Sequence, residues 1–257
     1  MKPISKNQLK RVRNLGRKKG RRESGLFLVE GVRLCEAMIE SEWPAEMLLV
    51  TPAARSDSRV EELLSTAAST CKVLECADSD MQAVTDVVRS QGLLGIARWE
   101  ELEPDVFFGG TWKLVLALEA VRDPGNVGTI LRAADWFGAE ALLLGEGCAE
   151  LQNPKVVRSS AGSLFHVPCL QNAALSEALT RLRESGHRIC GAALEGTPVK
   201  PGWHGAHDVL VLGNETQGLT ERVRAYVDEV VRIPGRGRAE SLNVAMAAVA
   251  LLALARG

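Results

Sequence analysis

A chain of 257 residues with a formal net charge of −1 is long enough for one large domain or two modest ones, and its apolar content allows a sizeable core. The six cysteines (Cys35, Cys71, Cys76, Cys148, Cys169, Cys190) include no C-x-x-C pair and most lie in apolar runs, so they read as reduced core residues and not as a disulfide frame or zinc site. The opening MKPISKNQLKRVRNLGRKKGRR has no apolar stretch behind its charges, and the long uncharged run at 244–255 is too short to span a bilayer; the expected localisation is cytoplasmic.

The near-neutral balance hides a sorted charge. Residues 1–25 carry ten Lys or Arg against one acidic side chain, and the remainder carries 21 basic and 31 acidic ones. A basic leader on an acidic body points to a polyanion, most economically nucleic acid, with Lys10, Arg11, Arg17, Lys18, Arg21 and Arg22 as candidate contacts. A solvated tail is the competing reading. Residues 5–19 predict a helix opened by Ser5, with only Leu9, Val12 and Leu15 to pack it. GLFLVEG then predicts a strand, Val32–Glu40 a helix and AEMLLVT a strand, and the alternation continues through Glu61–Ala68, CKVLEC, Asp78–Val84 and LLGIAR. Residues 1–98 thus form a small α/β module, and 99–112, with Pro104 and the Gly109-Gly110 pair, is the candidate linker.

From Lys113 the pattern is strictly alternating: KLVLAL, a helix over Val127–Phe137, EALLLG, a helix over Pro154–Ala161, LFHVPC, a helix over Leu175–Glu184, HRICGAA and VLVLG. A helix over Leu219–Tyr226, EVVRI and a helix over Leu242–Arg256 complete it. Continuously apolar strands separated by helices predict a doubly wound α/β fold with a parallel sheet of about six strands over 113–257. Two of those strands, ending at Leu212 and Ile233, run into polar glycine-bearing loops, which suggests one shared pocket at their carboxyl ends. In EAVRDPGNVGTILRAADWFGA, Asn126 is suited to cap the helix and Gly138 to end it. Val127, Ile130, Leu131, Ala134 and Phe137 share one stripe, and Arg132 falls off it, free to act outward.

Asn126-x-Gly128-x-x-x-Arg132-Ala133-Ala134, LGNETQGL at 212–219, and Ile233-Pro234 with Glu240-Ser241-Leu242-Asn243-Val244-Ala245 together resemble the three motifs of the SpoU (TrmH-type) RNA 2′-O-ribose methyltransferases of the SPOUT superfamily. GLFLVEG and SQGLLGIA in the front module resemble that family's substrate-binding domain, which is similar to the ribosomal L30e fold. The resemblance implies an S-adenosylmethionine-dependent enzyme with a Rossmann-like SPOUT domain, a C-terminal trefoil knot and a homodimeric state. It implies a catalytic group of Asn126, Arg132, Glu215, Ser241 and Asn243, with Arg132 contributed across the dimer. An adenosine needs an apolar slot and backbone donors. Leu212, Gly213, Ile233, Pro234 and Leu242 can form the slot, with Asn214, Gly218, Asn243 and Ala245 close by. Ser241 opens the last helix, where capping is an equally good account of it. Arg132, Arg158 and Arg236 extend the RNA-contacting set, with Lys155, Arg232 and Arg238 as further cations.

The substrate implied is ribosomal RNA in preference to tRNA, because the front domain is typical of the ribosomal RNA members; a non-catalytic RNA-binding factor of the same fold is the alternative. His166, His187, His204 and His207 form no metal pair at helical spacing, and no metal is expected. GRGRAES lacks the ending of a phosphate-binding loop and DPGNVG is not G-x-G-x-x-G, which argues against a nucleotide-hydrolysing or nicotinamide enzyme.

Overall fold

The computed structural model describes residues 1–85, 87–214 and 216–255. They form two compact units: Met1–Glu100 with Gln152–Phe165, and Glu101–Leu151 with the described residues from His166 onward.

The first unit runs β1 (Lys2–Pro3), α1 (Lys6–Asn14), α2 (Lys18–Ser24), β2 (Leu26–Glu30), α3 (Val32–Glu40), β3 (Ala45–Val50), α4 (Pro52–Arg55), α5 (Ser58–Ala67), β4 (Lys72–Glu75), α6 (Asp78–Val84) and β5 (Leu93–Arg98). Its sheet has the order β1-β4-β3-β5-β2; β4 is parallel to β1 and β3, and β5 is antiparallel to β3 and β2. Val12 and Leu15 pack with Leu26, Leu28, Met47, Leu49 and Ile96, so the weak stripe of the leader suffices to dock it. The single helix expected over 5–19 is instead two. Ser5 caps α1 through a capping box with Gln8, and the chain bends at Leu15–Arg17 before α2. Arg21 is buried at 5% exposure, and its Nη1 donates to the carbonyl oxygens of Leu15 (3.0 Å) and Gly16 (3.1 Å). It satisfies acceptors that α1 leaves open at its end.

The second unit begins inside the expected linker: α7 (Pro104–Phe108) buries Phe107 completely in this unit's core. β6 (Leu114–Leu118), α8 (Pro124–Phe137) and β7 (Ala141–Gly145) follow. The chain then supplies α9 (Pro154–Ser160) and a 3-10 turn at Ser163–Phe165 to the first unit, where α9 packs on β2. It returns as β8 (Cys169–Ala173), α10 (Leu175–Glu184), β9 (Arg188–Pro198), β10 (Asp208–Leu212), α11 (Glu221–Arg224), β11 (Glu229–Arg232) and α12 (Val244–Ala255). The strand expected over LFHVPC therefore begins only at Cys169, since Leu164 and Phe165 are buried by the 3-10 turn. Arg256, expected to end the last helix, lies outside the described residues.

All strand pairs of this six-stranded sheet are parallel, in the order β11-β9-β10-β6-β7-β8. β6 and β10 run side by side, from Leu114 opposite Asp208 to Leu118 opposite Leu212. From β6 the chain winds to one side through α8 to β7, and from β10 it winds to the other through α11 to β11. The carboxyl ends of β6 and β10 are thus a topological switch point, where open α/β sheets place their ligands.

Candidate active site

Two loops leave that switch point, 119–123 after β6 and 213–220 after β10. Each is fixed to the other. The Glu119 amide donates to the Leu212 carbonyl (2.9 Å), and the Asn214 side-chain amide donates to the Ala120 carbonyl (3.0 Å). Asn214 Oδ1 accepts from the Thr216 amide (2.9 Å), so both ends of this side chain shape the loop. Gly213 has no room for a side chain, because a Cβ there would lie 2.3 Å from the Gly218 carbonyl. Gly218 has φ +65°, a left-handed conformation that glycine adopts at least cost. Ala120 holds φ +50° without being glycine, a strained backbone of the kind that accumulates at functional sites.

Glu119 was not among the expected site residues. Its carboxylate is buried at 8% exposure and accepts from the Thr220 amide (3.0 Å) and hydroxyl (2.6 Å). Thr220 in turn caps α11. The available sequence signal was a lone acid ending the apolar run KLVLAL.

The helix after β6 is capped by Asp123, whose side chain accepts from the Asn126 amide (3.1 Å), with Pro124 in the first turn. Asn126 is therefore not the cap; it sits one turn in, and its Oδ1 accepts from Asn243 Nδ2 at 3.1 Å. Asn243 Oδ1 accepts from the Ala245 amide (2.9 Å) and caps α12, which displaces the expected capping role of Ser241. Ser241 lies in an exposed stretch with Arg236 and Leu242. The first and last motifs thus meet through one side-chain hydrogen bond. Arg132 is exposed on α8, six residues beyond Asn126. That is about 9 Å along the axis and about 240° around it, so Arg132 does not share a face with Asn126. Glu215 lies outside the described residues.

Among the expected cofactor contacts, Leu212 and Ala245 are buried, Ile233 is half-buried, and Pro234 and Leu242 are exposed, Leu242 to 53%. Lys10, Arg11, Arg17, Lys18 and Arg22 lie exposed on the leader. Arg21 departs from the expected leader contacts: at 5% exposure its guanidinium serves the α1–α2 bend and does not stand with the exposed cations. Arg158 is half-buried and ion-paired with Glu30 (3.4 Å) inside the first unit. Burial raises the thiols of Cys148 to about 11 and Cys190 to about 12, leaving both protonated and unsuited as nucleophiles at neutral pH. Among the described residues no group of three or more His, Cys, Asp or Glu could hold a metal, and no helix is long and apolar enough to cross a membrane.

Comparison with known proteins matches residues 113–253 to the SpoU rRNA Methylase family and residues 6–95 to the MRM3-like substrate binding domain. A Bacillus subtilis (strain 168) protein named 23S rRNA (guanosine(2553)-2′-O)-methyltransferase RlmP is 33% identical over 255 residues, covering 98% of each chain. A Streptomyces viridochromogenes protein named 23S rRNA (uridine(2479)-2′-O)-methyltransferase is 31% identical over 248 residues, 93% of this chain and 85% of the relative. The crystal structure of the SpoU methyltransferase AviRb from Streptomyces viridochromogenes in complex with the cofactor AdoMet superposes with a TM-score of 0.87 at 28% identity, covering 98% of this chain and 97% of that one.

Proposed function

This chain belongs to the SpoU rRNA methylase family, and we propose that its substrate as an S-adenosylmethionine-dependent RNA 2′-O-ribose methyltransferase is ribosomal RNA, of the large subunit. The observation that carries the assignment of its site is the Asn243–Asn126 hydrogen bond, which joins the first and last motifs beside the β6–β10 switch point.

The chain's residues fit the cofactor. Gly213 and Gly218 keep side chains out of the loop at the carboxyl end of β10, and exposed Leu242 and half-buried Ile233 offer apolar surface to an adenine ring. When bound, S-adenosylmethionine supplies an electrophilic methyl for in-line displacement by the ribose oxygen. What the protein adds is alignment of two reactants and stabilisation of charge. Leu212, Gly213, Asn214, Gly218, Ile233, Pro234, Leu242, Asn243 and Ala245 hold the cofactor side. Asn126, Arg132, Glu215, Ser241 and Asn243 hold the ribose side. A guanidinium keeps its proton, so Arg132 would anchor a phosphate beside the ribose and stabilise the ribose oxygen while the hydroxyl proton passes to solvent by way of that phosphate oxygen.

The separation of Arg132 from Asn126 on α8 supports a homodimer in which the arginine serves the partner's site. A second observation favours the same state. On α12, Met246, Val249, Ala250 and Ala253 recur at helical spacing, apolar and at least partly exposed, and Trp136 of α8 is 83% exposed. The C-terminal segment is read as a trefoil knot, supported by its ties to earlier loops: Asn214 to Ala120, Asn243 to Asn126, and the Gly202 amide to the Leu254 carbonyl at 2.8 Å. An L30e-like RNA-binding module and a SPOUT methyltransferase domain belong to the same reading, but with the expected linker 99–112 largely absorbed into the second unit and Gln152–Phe165 counted with the first. The exposed leader cations and Arg236 as phosphate contacts belong to it as well.

The experiment is transfer of radiolabelled methyl from S-adenosylmethionine to unmodified ribosomal RNA, with mapping of the alkali-resistant linkage. Arg132→Ala should lower turnover on the order of a hundredfold, and Arg132→Lys should recover only part because it loses the bidentate fork. Near-normal turnover of Arg132→Ala, or methylation of a base in place of a ribose, would sink the assignment.

A further inference from the structure

The bend between α1 and α2 does more than dock the leader. It walls a cavity of about 270 Å³ in the first unit, floored by Val12, Leu15, Leu26, Met47 and Ile96. Arg11 and Asn14 stand on the α1 side, Glu23 on the α2 side, and Glu46 at the start of β3. The wall is held in shape. Buried Arg21 ties the bend to the Leu15 and Gly16 carbonyls, and Gly20 lets α2 approach so closely that a Cβ there would lie 2.1 Å from the Asn14 carbonyl. Glu46 is held by Arg98 (3.0 Å).

The geometry points to this cavity as a pocket for one unstacked base of the substrate RNA, selective for bases that carry an amino group. The inference rests on the RNA reading above and names a specificity site within it. An apolar floor of this size suits a single ring system, below the range of pockets that enclose larger ligands. Single-stranded RNA is read by bases splayed into such slots and hydrogen-bonded along their edges. Arg11 lines the cavity, and exposed Lys10, Arg17 and Arg22 on the same two helices and the bend between them suit the flanking phosphates. The edge chemistry sets the preference. Ionised Glu23 and Glu46 only accept, so they match the amino N–H of adenine, cytosine or guanine better than uracil, whose edge offers one imide N–H between two carbonyl oxygens. Gln8, Arg11 and Asn14 of the lining remain for the acceptor atoms of the bound base.

The test titrates the full chain with fluorescein-labelled oligocytidylate, oligoadenylate and oligouridylate by anisotropy, in parallel with methyl transfer to an unmodified 23S rRNA transcript. Wild type should bind the cytidine and adenosine oligomers about fivefold or more tighter than the uridine one. Glu46→Gln should bring that ratio near one, chiefly by raising oligouridylate affinity, because an amide can donate to the uracil carbonyls that the carboxylate opposes. Glu23→Gln, at an exposed side chain paired with exposed Lys19, should reduce it. Equal binding of the three oligomers by wild type, or a preference that survives both substitutions, overturns the pocket while methyl transfer persists. Loss of both transfer and RNA affinity in wild type would instead overturn the underlying RNA reading, and the pocket with it.

Discussion

Asn243 uses the two ends of one amide for different purposes, and each can be removed without the other. Its oxygen caps α12 and its nitrogen reaches Asn126. Serine is as good a cap but too short to span to Asn126, so Asn243→Ser should keep thermal stability within a few tenths of a kcal/mol and still lower methyl transfer. Asn243→Ala should lose both, with about 1 kcal/mol of stability. Equal activity of the serine variant and wild type would show that the inter-motif bond has no part in turnover. The leader offers a parallel contrast. Arg21→Ala leaves the Leu15 and Gly16 carbonyls without their buried donor and should cost about 1–3 kcal/mol in denaturant melts. Arg22→Ala, one position on and exposed, should leave the melt unchanged and lower the salt slope of RNA binding by about one. Charge alone makes these two arginines look alike in the sequence. What separates them is the bend at Leu15–Arg17, which turns one guanidinium inward.

At the scale of elements, apolar periodicity was informative wherever a segment buries one face. Val32–Glu40, Asp78–Val84 and Leu175–Glu184 form the helices expected of them, and the parallel sheet follows from apolar runs such as LVLAL and DVLVL. It failed where local chemistry outweighs periodicity. A short apolar run such as LFHVPC is equally compatible with a strand and a buried turn, and only packing selects the 3-10 turn. Helix starts moved because Asp123 and Asn243, and not Asn126 and Ser241, supply the capping oxygens. The motifs were legible as those of the SpoU family, which the match over 113–253 bears out, but Glu119 was not, since its contacts exist only once Thr220 is brought to it by the β6–β10 pairing. The amino end of β10 carries its own anchor. Asp208 accepts from Arg188 at 2.8 and 3.0 Å, from the Gly205 amide and, at 2.8 Å, pairs with His204. Burial alone would raise its carboxyl, but Arg188 and the other donors outweigh it and hold it below the usual range. A carboxylate depressed in the folded state gives stability that is present above its unfolded value, near pH 4, and is lost as pH falls towards the folded one. Melting temperature should therefore drop on acidification below about pH 4 by more in wild type than in Asp208→Asn. That variant should already have lost about 1–2 kcal/mol at neutral pH, since Arg188 is 38% exposed and keeps Glu229 as a partner. Parallel acid profiles for the two proteins would remove Asp208 as the anchor.

At the surface of the whole molecule, α12 presents an apolar face. A helix apolar on every side is ordinarily enclosed, yet Met246 is 59% and Trp136 83% exposed, and no charge interrupts the α12 stripe. An isologous interface between two copies would bury both residues in each chain, and the proposed shared site requires that it also carry Arg132, on a different face of α8 from Asn126, to the neighbouring chain's motifs. Light scattering on a size-exclusion column should then give a dimer for wild type and a shift towards monomer for Trp136→Asp, because a buried unpaired carboxylate opposes association. The kinetic consequence is sharper than the mass. If each site borrows its arginine, mixing inactive Arg132→Ala with inactive Asn126→Ala protein should restore part of the activity through mixed dimers with one complete site. Arginine and asparagine acting within one chain would give no restoration in such a mixture. A monomeric wild type with full turnover would refute the shared site and leave the α12 face to a different partner.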